Sequence, residues 1–286
     1  MPNASGGLTM LKSIQNQLPT SERKIAQYIL NNPHEVVSMT VKQLADHSLT
    51  SAAAVIRLCK SLDVNGFKEL KMRIAVDLQT SKPKSYRDIT KNESTKDIIM
   101  QMSQNSIYII EETSELIRSK DIERASELLK KAKAVHLFGV GASGLVAFDA
   151  QQKFLRAGLY AFALNDVHLS FTALSNATSE HVAIIISFSG ETKEAIEFIK
   201  LAKRKGIPTI SITKYGTNSL SKLADINLYA ASTHEAISRS AATSSRLAQL
   251  LVIDILFMTY VSNNFDTVID ALDQSKHAIQ NKQSPY

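Results

Sequence analysis

Apolar and polar positions follow one period in the first part of this chain and another in the last. Leu8, Leu11, Ile14 and Leu18 recur at helical spacing. Pro19-Thr20-Ser21-Glu22 then restarts a helix with a capping residue and an early acid, and Pro33 breaks it. Between Thr40 and Asp77 the apolar period stays helical, with no strand-like alternation. From Thr80 to Thr95 the chain turns polar around Pro83 and loses periodicity, which marks a linker. Further helices are expected over residues 96–118 and 121–131. After Lys133, short β-rich runs appear at 134–138, 160–164, 181–187, 208–213 and 226–229, separated by helical patterns at 145–157, 191–205 and 238–260. Strands alternating with helices predict a doubly wound α/β domain with a five-stranded parallel sheet. The expected organisation is therefore an all-α domain over 1–79, a linker over 80–95 and an α/β domain over 96–286.

Composition narrows the setting. A chain of 286 residues is comfortable for two domains. One cysteine, Cys59, cannot form an intramolecular disulfide, so a cytoplasmic protein is expected. The start of the chain lacks a secretory pattern, and no uninterrupted apolar stretch of about 18 residues suggests a membrane span. No Cys/His cluster has metal-ligand spacing, and neither metal nor cofactor is expected. The net charge is only +6, but its placement is uneven. Residues through Lys91 carry thirteen positive and seven negative side chains, a surplus equal to that of the whole chain. A basic segment joined to a neutral body suits a phosphate-backbone binder with a separate second domain.

The basic segment contains TVKQLADHSLTSAAAVIRLCKSLDVNGFKELK. A helix from about Val41 to Asp46 turns Val41, Leu44 and Ala45 inward, and Thr50 or Ser51 can cap a second helix reaching about Leu62. On the second helix Val55, Leu58 and Leu62 share one face, while Ala53, Arg57 and Lys60 share the opposite one. Small residues near its start allow close approach to a major groove, where Arg57 and Lys60 reach guanine edges or phosphates. Lys42, Ser51, Lys68 and Lys71 complete the candidate DNA-contacting set. The competing reading is a plain helical hairpin with solvated Arg57 and Lys60. SAAAVIRLCKSL followed by NGFKELK resembles the helix-turn-helix of the RpiR-type bacterial regulators. It departs from that signature at Ala54, Leu58 and Asp63, the last a residue that tolerates the left-handed conformation of a helix end.

Two loops in the neutral half carry the second signal. In VHLFGVGASGLVAFDAQQ a buried strand runs through Gly139-Val140-Gly141-Ala142-Ser143-Gly144 into a helix. Glycines permit close backbone approach, Ser143 supplies a hydroxyl, and the helix start offers free amides. The dinucleotide fingerprint fits poorly, because its acidic residue has no candidate better than Asp166, which lies in a loop. In HVAIIISFSGETKEAIEFIK an apolar strand runs into Ser187-Phe188-Ser189-Gly190-Glu191-Thr192 and then a helix. Three hydroxyls, a glycine and a helix start without lysine make a neutral anion cradle, suited to a phosphomonoester that must be exchanged. Ordinary capping of that helix by Ser189 and Thr192 is the alternative.

These loops resemble the SIS (sugar isomerase) domain over about residues 126–261, with SxSGxT as the matching motif. The resemblance implies that Ser143, Ser187, Ser189 and Thr192 hold a phosphate, helped by the amides of Gly141 and Gly190. It also places His168 and Glu235 near the sugar. No catalytic residue is expected. The combination implies a regulator of sugar catabolism, amino-sugar use in particular, that binds a double-stranded operator and answers to a sugar phosphate such as N-acetylmuramic acid 6-phosphate. A phosphosugar isomerase or lyase is the alternative, but a basic helix-turn-helix has no place in it. A single helix-turn-helix reads few base pairs, so a homodimer or homotetramer is expected, with the apolar helix of residues 247–260 read either as an interface or as core of the sheet domain.

Overall fold

A computed structural model describes residues 6–80, 91–232 and 242–280. The chain divides into a helical unit, which ends at Leu116 apart from two short later segments counted with it, and an α/β unit from Ile117.

The helical unit is built from α1 (Gly7–Ile14), α2 (Thr20–Asn31), α3 (Pro33–Val36), α4 (Val41–His47), α5 (Ala52–Ser61), α6 (Phe67–Thr80) and α7 (Thr95–Leu116). Its core is the inner stripe of each helix: Leu11, Ile25, Ile29, Leu44, Leu58 and Leu70 have no measurable exposure. The first amides of α1 are satisfied from a distance. Asp77 on α6 accepts from Gly6 N at 2.6 Å and Leu8 N at 2.8 Å, at the positive end of the α1 dipole. Burial nevertheless raises the Asp77 carboxyl above its ordinary range, against the lowering by these amides and Arg73.

The α/β unit runs α8 (Ser119–Lys131), β1 (Ala134–Gly139), α9 (Ala142–Arg156), β2 (Tyr160–Ala163), α10 (Val167–Ser175), β3 (Val182–Ile186), α11 (Lys193–Arg204), β4 (Thr209–Lys214), α12 (Ser219–Leu223), β5 (Ile226–Ala230), α13 (Thr243–Asn263) and α14 (Phe265–Gln280). The five strands lie in the order β2-β1-β3-β4-β5, and β1 pairs parallel with both β2 and β3. The apolar run of β3 is buried throughout, as a parallel sheet covered on both faces requires. On one face Phe138 stacks on Phe198 with ring centres 4.4 Å apart, and Phe171 meets both edge-on.

The doubly wound α/β expectation therefore holds, with strand ends displaced by a residue or two. Helices α10, α12 and α14 were not anticipated. Helix α13 is long and apolar enough to cross a membrane by length and composition alone. Its Ala248, Val252, Ile253 and Leu256 are fully buried in the α/β unit, while Leu250, Leu251, Ile255 and Phe257 are half-buried and Met258 is 60% exposed.

Candidate functional site

Helices α4 and α5 are each closed by their own side chains. Thr40 and Gln43 form a reciprocal capping box on α4, and Ser51 Oγ accepts from Ala54 N at 3.2 Å on α5. At the far end of α5, Val64 N reaches Cys59 O and Asp63 N reaches Lys60 O, both at 3.0 Å. This is the double bond of a Schellman end, and Asp63 takes the left-handed conformation it needs, with φ of 51°. Val55, Leu58 and Leu62 are fully buried, which turns Ala53, Arg57 and Lys60 to solvent. Ile56 stands exposed beside Arg57, an apolar contact on the same face that the charge pattern did not flag. Arg57 Nε lies 3.6 Å from Glu22 on α2, while the nearly buried Glu22 also accepts from Ser61 Oγ at 2.8 Å.

Lys42 and Lys68 are exposed. Lys71 is tied back: its ammonium donates to Met39 O at 2.8 Å and sits over the Phe67 ring. The outward face is therefore made by α5 itself, with Lys42 and Lys68 at its sides. Cys59 is a core residue whose thiol burial pushes up to about 11, so little thiolate forms at neutral pH.

The α/β unit brings its two loops to one point. Because Gly139 lies opposite Ile186 in the β1–β3 register, the loops after them leave the same carboxyl edge of adjacent strands. The strand order reverses there, since β1 lies between β2 and β3, and this is the topological switch point where open α/β sheets bind ligands. Glycine is obligatory in both turns. A Cβ on Gly139 would sit 2.5 Å from Ser143 O, and one on Gly190, whose φ is 70°, would sit 2.1 Å from Asn218 Oδ1.

Ser187, nearly buried, shares a 2.8 Å hydrogen bond with Thr192 Oγ1. Thr192 stands at the N-cap of α11 but makes no side-chain cap bond, because its hydroxyl is turned to Ser187. Gly141 at the start of α9 likewise provides no side-chain cap. The neighbouring starts differ. Asp166 caps α10 by accepting from Leu169 N at 2.8 Å, and Asn218 caps α12 by accepting from Ser221 N at 2.8 Å. Two helices thus point first-turn amides without side-chain caps at the switch point, which is an anion-binding arrangement. The simple capping role for Ser189 and Thr192 does not describe this loop, since the exposed Ser189 Oγ accepts from Glu191 N at 3.1 Å within the turn itself.

Ser143 is buried against Gln249 of α13, which donates from Nε2 at 3.3 Å. Gln249 was missed because nothing in its local pattern separates it from a polar residue on a surface helix. His168 is exposed on the first turn of α10, at the carboxyl edge of β2. Glu235 lies outside the described residues. A recess of about 790 Å³ lies instead at the amino edge of β4 and β5, lined by Lys120, Arg124, Lys203, Glu127 and Asp225. Lys203 pairs there with Asp225, so its charges are engaged within the protein.

Comparison with known proteins gives these two sites a family. Residues 5–81 match the helix-turn-helix domain of the rpiR family, and residues 128–259 match the SIS domain. The chain is 47% identical over 277 residues to the HTH-type transcriptional regulator YbbH of Bacillus subtilis, covering 97% of this chain and 98% of that one. The chain belongs to the rpiR family of helix-turn-helix regulators. The Escherichia coli HTH-type regulator HexR is 29% identical across 96% of this chain and 95% of its own. Among solved structures, the Vibrio vulnificus NanR protein complexed with ManNAc-6P superposes with a TM-score of 0.62 at 28% identity, covering 98% of this chain and all of that one. It is a transcriptional regulator with an rpiR-type helix-turn-helix DNA-binding domain and an SIS domain.

Proposed function

We propose that this regulator recognises its operator through α5 and is controlled by an amino-sugar 6-phosphate bound at the β1–β3 switch point. The observation that carries the ligand assignment is the pair of helix starts without side-chain caps at that edge, α9 and α11, between neighbours that cap themselves. A phosphate monoester supplies acceptors for those amides, with Ser143, Ser187, Ser189 and Thr192 donating hydroxyls, Gly141 its amide, and Gly190 its amide on leaving Ser187 O, to which it donates at 3.0 Å. His168 and Glu235 approach the sugar ring. Because NanR was solved with ManNAc-6P, the hexosamine 6-phosphates are the first ligands to test, N-acetylmuramic acid 6-phosphate among them.

On the DNA side, Ala53, Ile56, Arg57 and Lys60 meet base edges and phosphates, flanked by Lys42, Ser51, Lys68 and Lys71. Lys71 leaves Met39 O to take part. The protein acts in the cytoplasm as a homodimer or larger homo-oligomer, with residues 80–95 joining a DNA-binding domain to the SIS domain. It acts as a regulator and not as an enzyme, because the helix-turn-helix domain has no place in a phosphosugar isomerase and the cradle itself is made of hydroxyls and amides. Calorimetric titration with hexosamine 6-phosphates and their unphosphorylated parents tests the pocket. Binding of the phosphorylated forms alone is expected, and equal binding of both would refute it.

A further inference from the structure

Helix α7 has two unlike faces. Gln101, Asn105, Tyr108, Ile109, Glu112 and Leu116 are buried. The opposite face carries Met100, Ser103, Ile107, Ile110 and Ser114, at successive spacings of three and four residues that give the seam of a coiled coil. Met100 is 53% exposed and Ile107 57%, and Ile99 beside them is 64% exposed. The two serines have no outward demand, because Ser103 Oγ donates to Ile99 O and Ser114 Oγ to Ile110 O within the helix. A row of large apolar side chains on solvated helix surface is unfavourable unless another surface covers it.

We propose that the cover is the same face of a second copy, with the two α7 helices antiparallel about a two-fold axis at Asn105. Size decides the direction. Reflection through Asn105 sets Met100 against Ile110 and Ser103 against Ile107, so the small serine at 103 receives an isoleucine, and Ser114 falls opposite Lys96 at the rim. A parallel pair would set serine on serine and leave a gap at that layer. Charge agrees. The antiparallel pair carries Lys96 to the end of the partner helix that bears Glu111, whereas the parallel pair sets Lys96 on Lys96 and Glu111 on Glu111. Asp97, beside Lys96, is taken by the helix's own cap through Ser94. The arrangement names the dimer surface of the full regulator and does not depend on which ligand fills the cradle.

The test is sedimentation equilibrium of the full chain carrying Ile107→Glu with Ile110→Glu. The expected result is a fall in self-association of at least about 100-fold, with helix content unchanged by circular dichroism, since both side chains face solvent in the single subunit. Wild-type self-association in a folded variant would overturn the proposal. A second measurement avoids charged substitutions. Ser103→Cys and Ile107→Cys single variants, mixed and oxidised, are expected to cross-link to each other faster than either cross-links to itself. Cross-linking that favours like with like, or none in the mixture, would overturn the antiparallel seam.

Discussion

The helices proposed to read DNA and the helices proposed to frame the cradle begin in opposite ways. Helices α4 and α5 cap their first turns through Thr40, Gln43 and Ser51, so one first-turn amide of each is already engaged by a side chain. Helices α9 and α11 leave theirs without side-chain caps, even where Thr192 stands in the capping position. A closed helix start stabilises the fold and offers a ligand little. An open one forgoes about 1 kcal/mol of capping and keeps its amides for an anion. The difference separates a surface that works through outward side chains from one that works through backbone and hydroxyls.

Removing hydroxyls from the open end has the largest expected effect. The double change Ser187→Ala with Ser189→Ala is expected to weaken phosphosugar binding by roughly 3–6 kcal/mol, at about 1.5–3 kcal/mol for each bond to a charged group. Operator affinity without ligand stays at the wild-type value. Calorimetry with the sugar phosphate measures the first and a gel-shift titration the second; retained ligand affinity would remove the cradle from the account.

Acid should divide the two units in another way. His136 on β1 is 5% exposed and stacks on His181, with Nε2 to Nδ1 at 3.0 Å. Burial, helped by the neighbouring imidazole, lowers its pKa from 6.5 to about 4. Between those values the unfolded chain binds more protons than the folded one. The stabilisation is thus complete above pH 6.5 and falls away as the pH drops toward 4, by roughly 3–4 kcal/mol in all, at about 1.4 kcal/mol per unit. His34 and His47 of the helical unit are exposed. Hydrogen exchange at pH 7 and pH 4.5 should therefore lose protection in β1 and β3 before α4 and α5. Equal losses in both units would contradict this reading of His136.

On the DNA side, Arg57→Ala is expected to cost about 1–3 kcal/mol of operator affinity with phosphosugar binding unchanged. Its contact with Glu22 is half-exposed and adds little to folding. An unchanged footprint and affinity would displace α5 as the reading helix. The smallest effect sharpens the comparison directly. Ser51→Ala should lower the stability of the helical unit by about 1 kcal/mol, the usual worth of a cap. Thr192→Val removes a hydroxyl that caps nothing, so it should weaken ligand binding without that loss of a cap. Denaturant titration of both variants, with and without ligand, gives the contrast.

Much of this was legible in the sequence, for identifiable reasons. The inward stripe Val55, Leu58 and Leu62 has a helical period, and the buried strand of residues 182–186 is an unbroken apolar run, so both survive without tertiary information. Helix α10 was lost because it is short and its start at Asp166 reads as loop. The open helix starts were legible only in part: both loops read as anion cradles, but Ser189 and Thr192 read equally as ordinary caps until the structure turns Thr192 to Ser187. Lys71 looked outward by charge, but its ammonium donates to Met39 O and sits over the Phe67 ring. The apolar helix α13 is core along Ala248, Val252, Ile253 and Leu256, and the exposed stripe on α7 did not stand out by composition. Period identifies an apolar face but does not say whether the same chain covers it.

The central claim is that occupation of the cradle in one unit changes the affinity of the other for DNA. Labelled operator titrated with the wild-type protein, at fixed steps of a hexosamine 6-phosphate and of the same sugar without phosphate, measures it directly. The account predicts that the phosphorylated sugar alone shifts operator affinity, by about 5- to 150-fold for a typical coupling of 1–3 kcal/mol. An operator affinity indifferent to every hexosamine 6-phosphate that binds, or equally shifted by the unphosphorylated sugars, would contradict it.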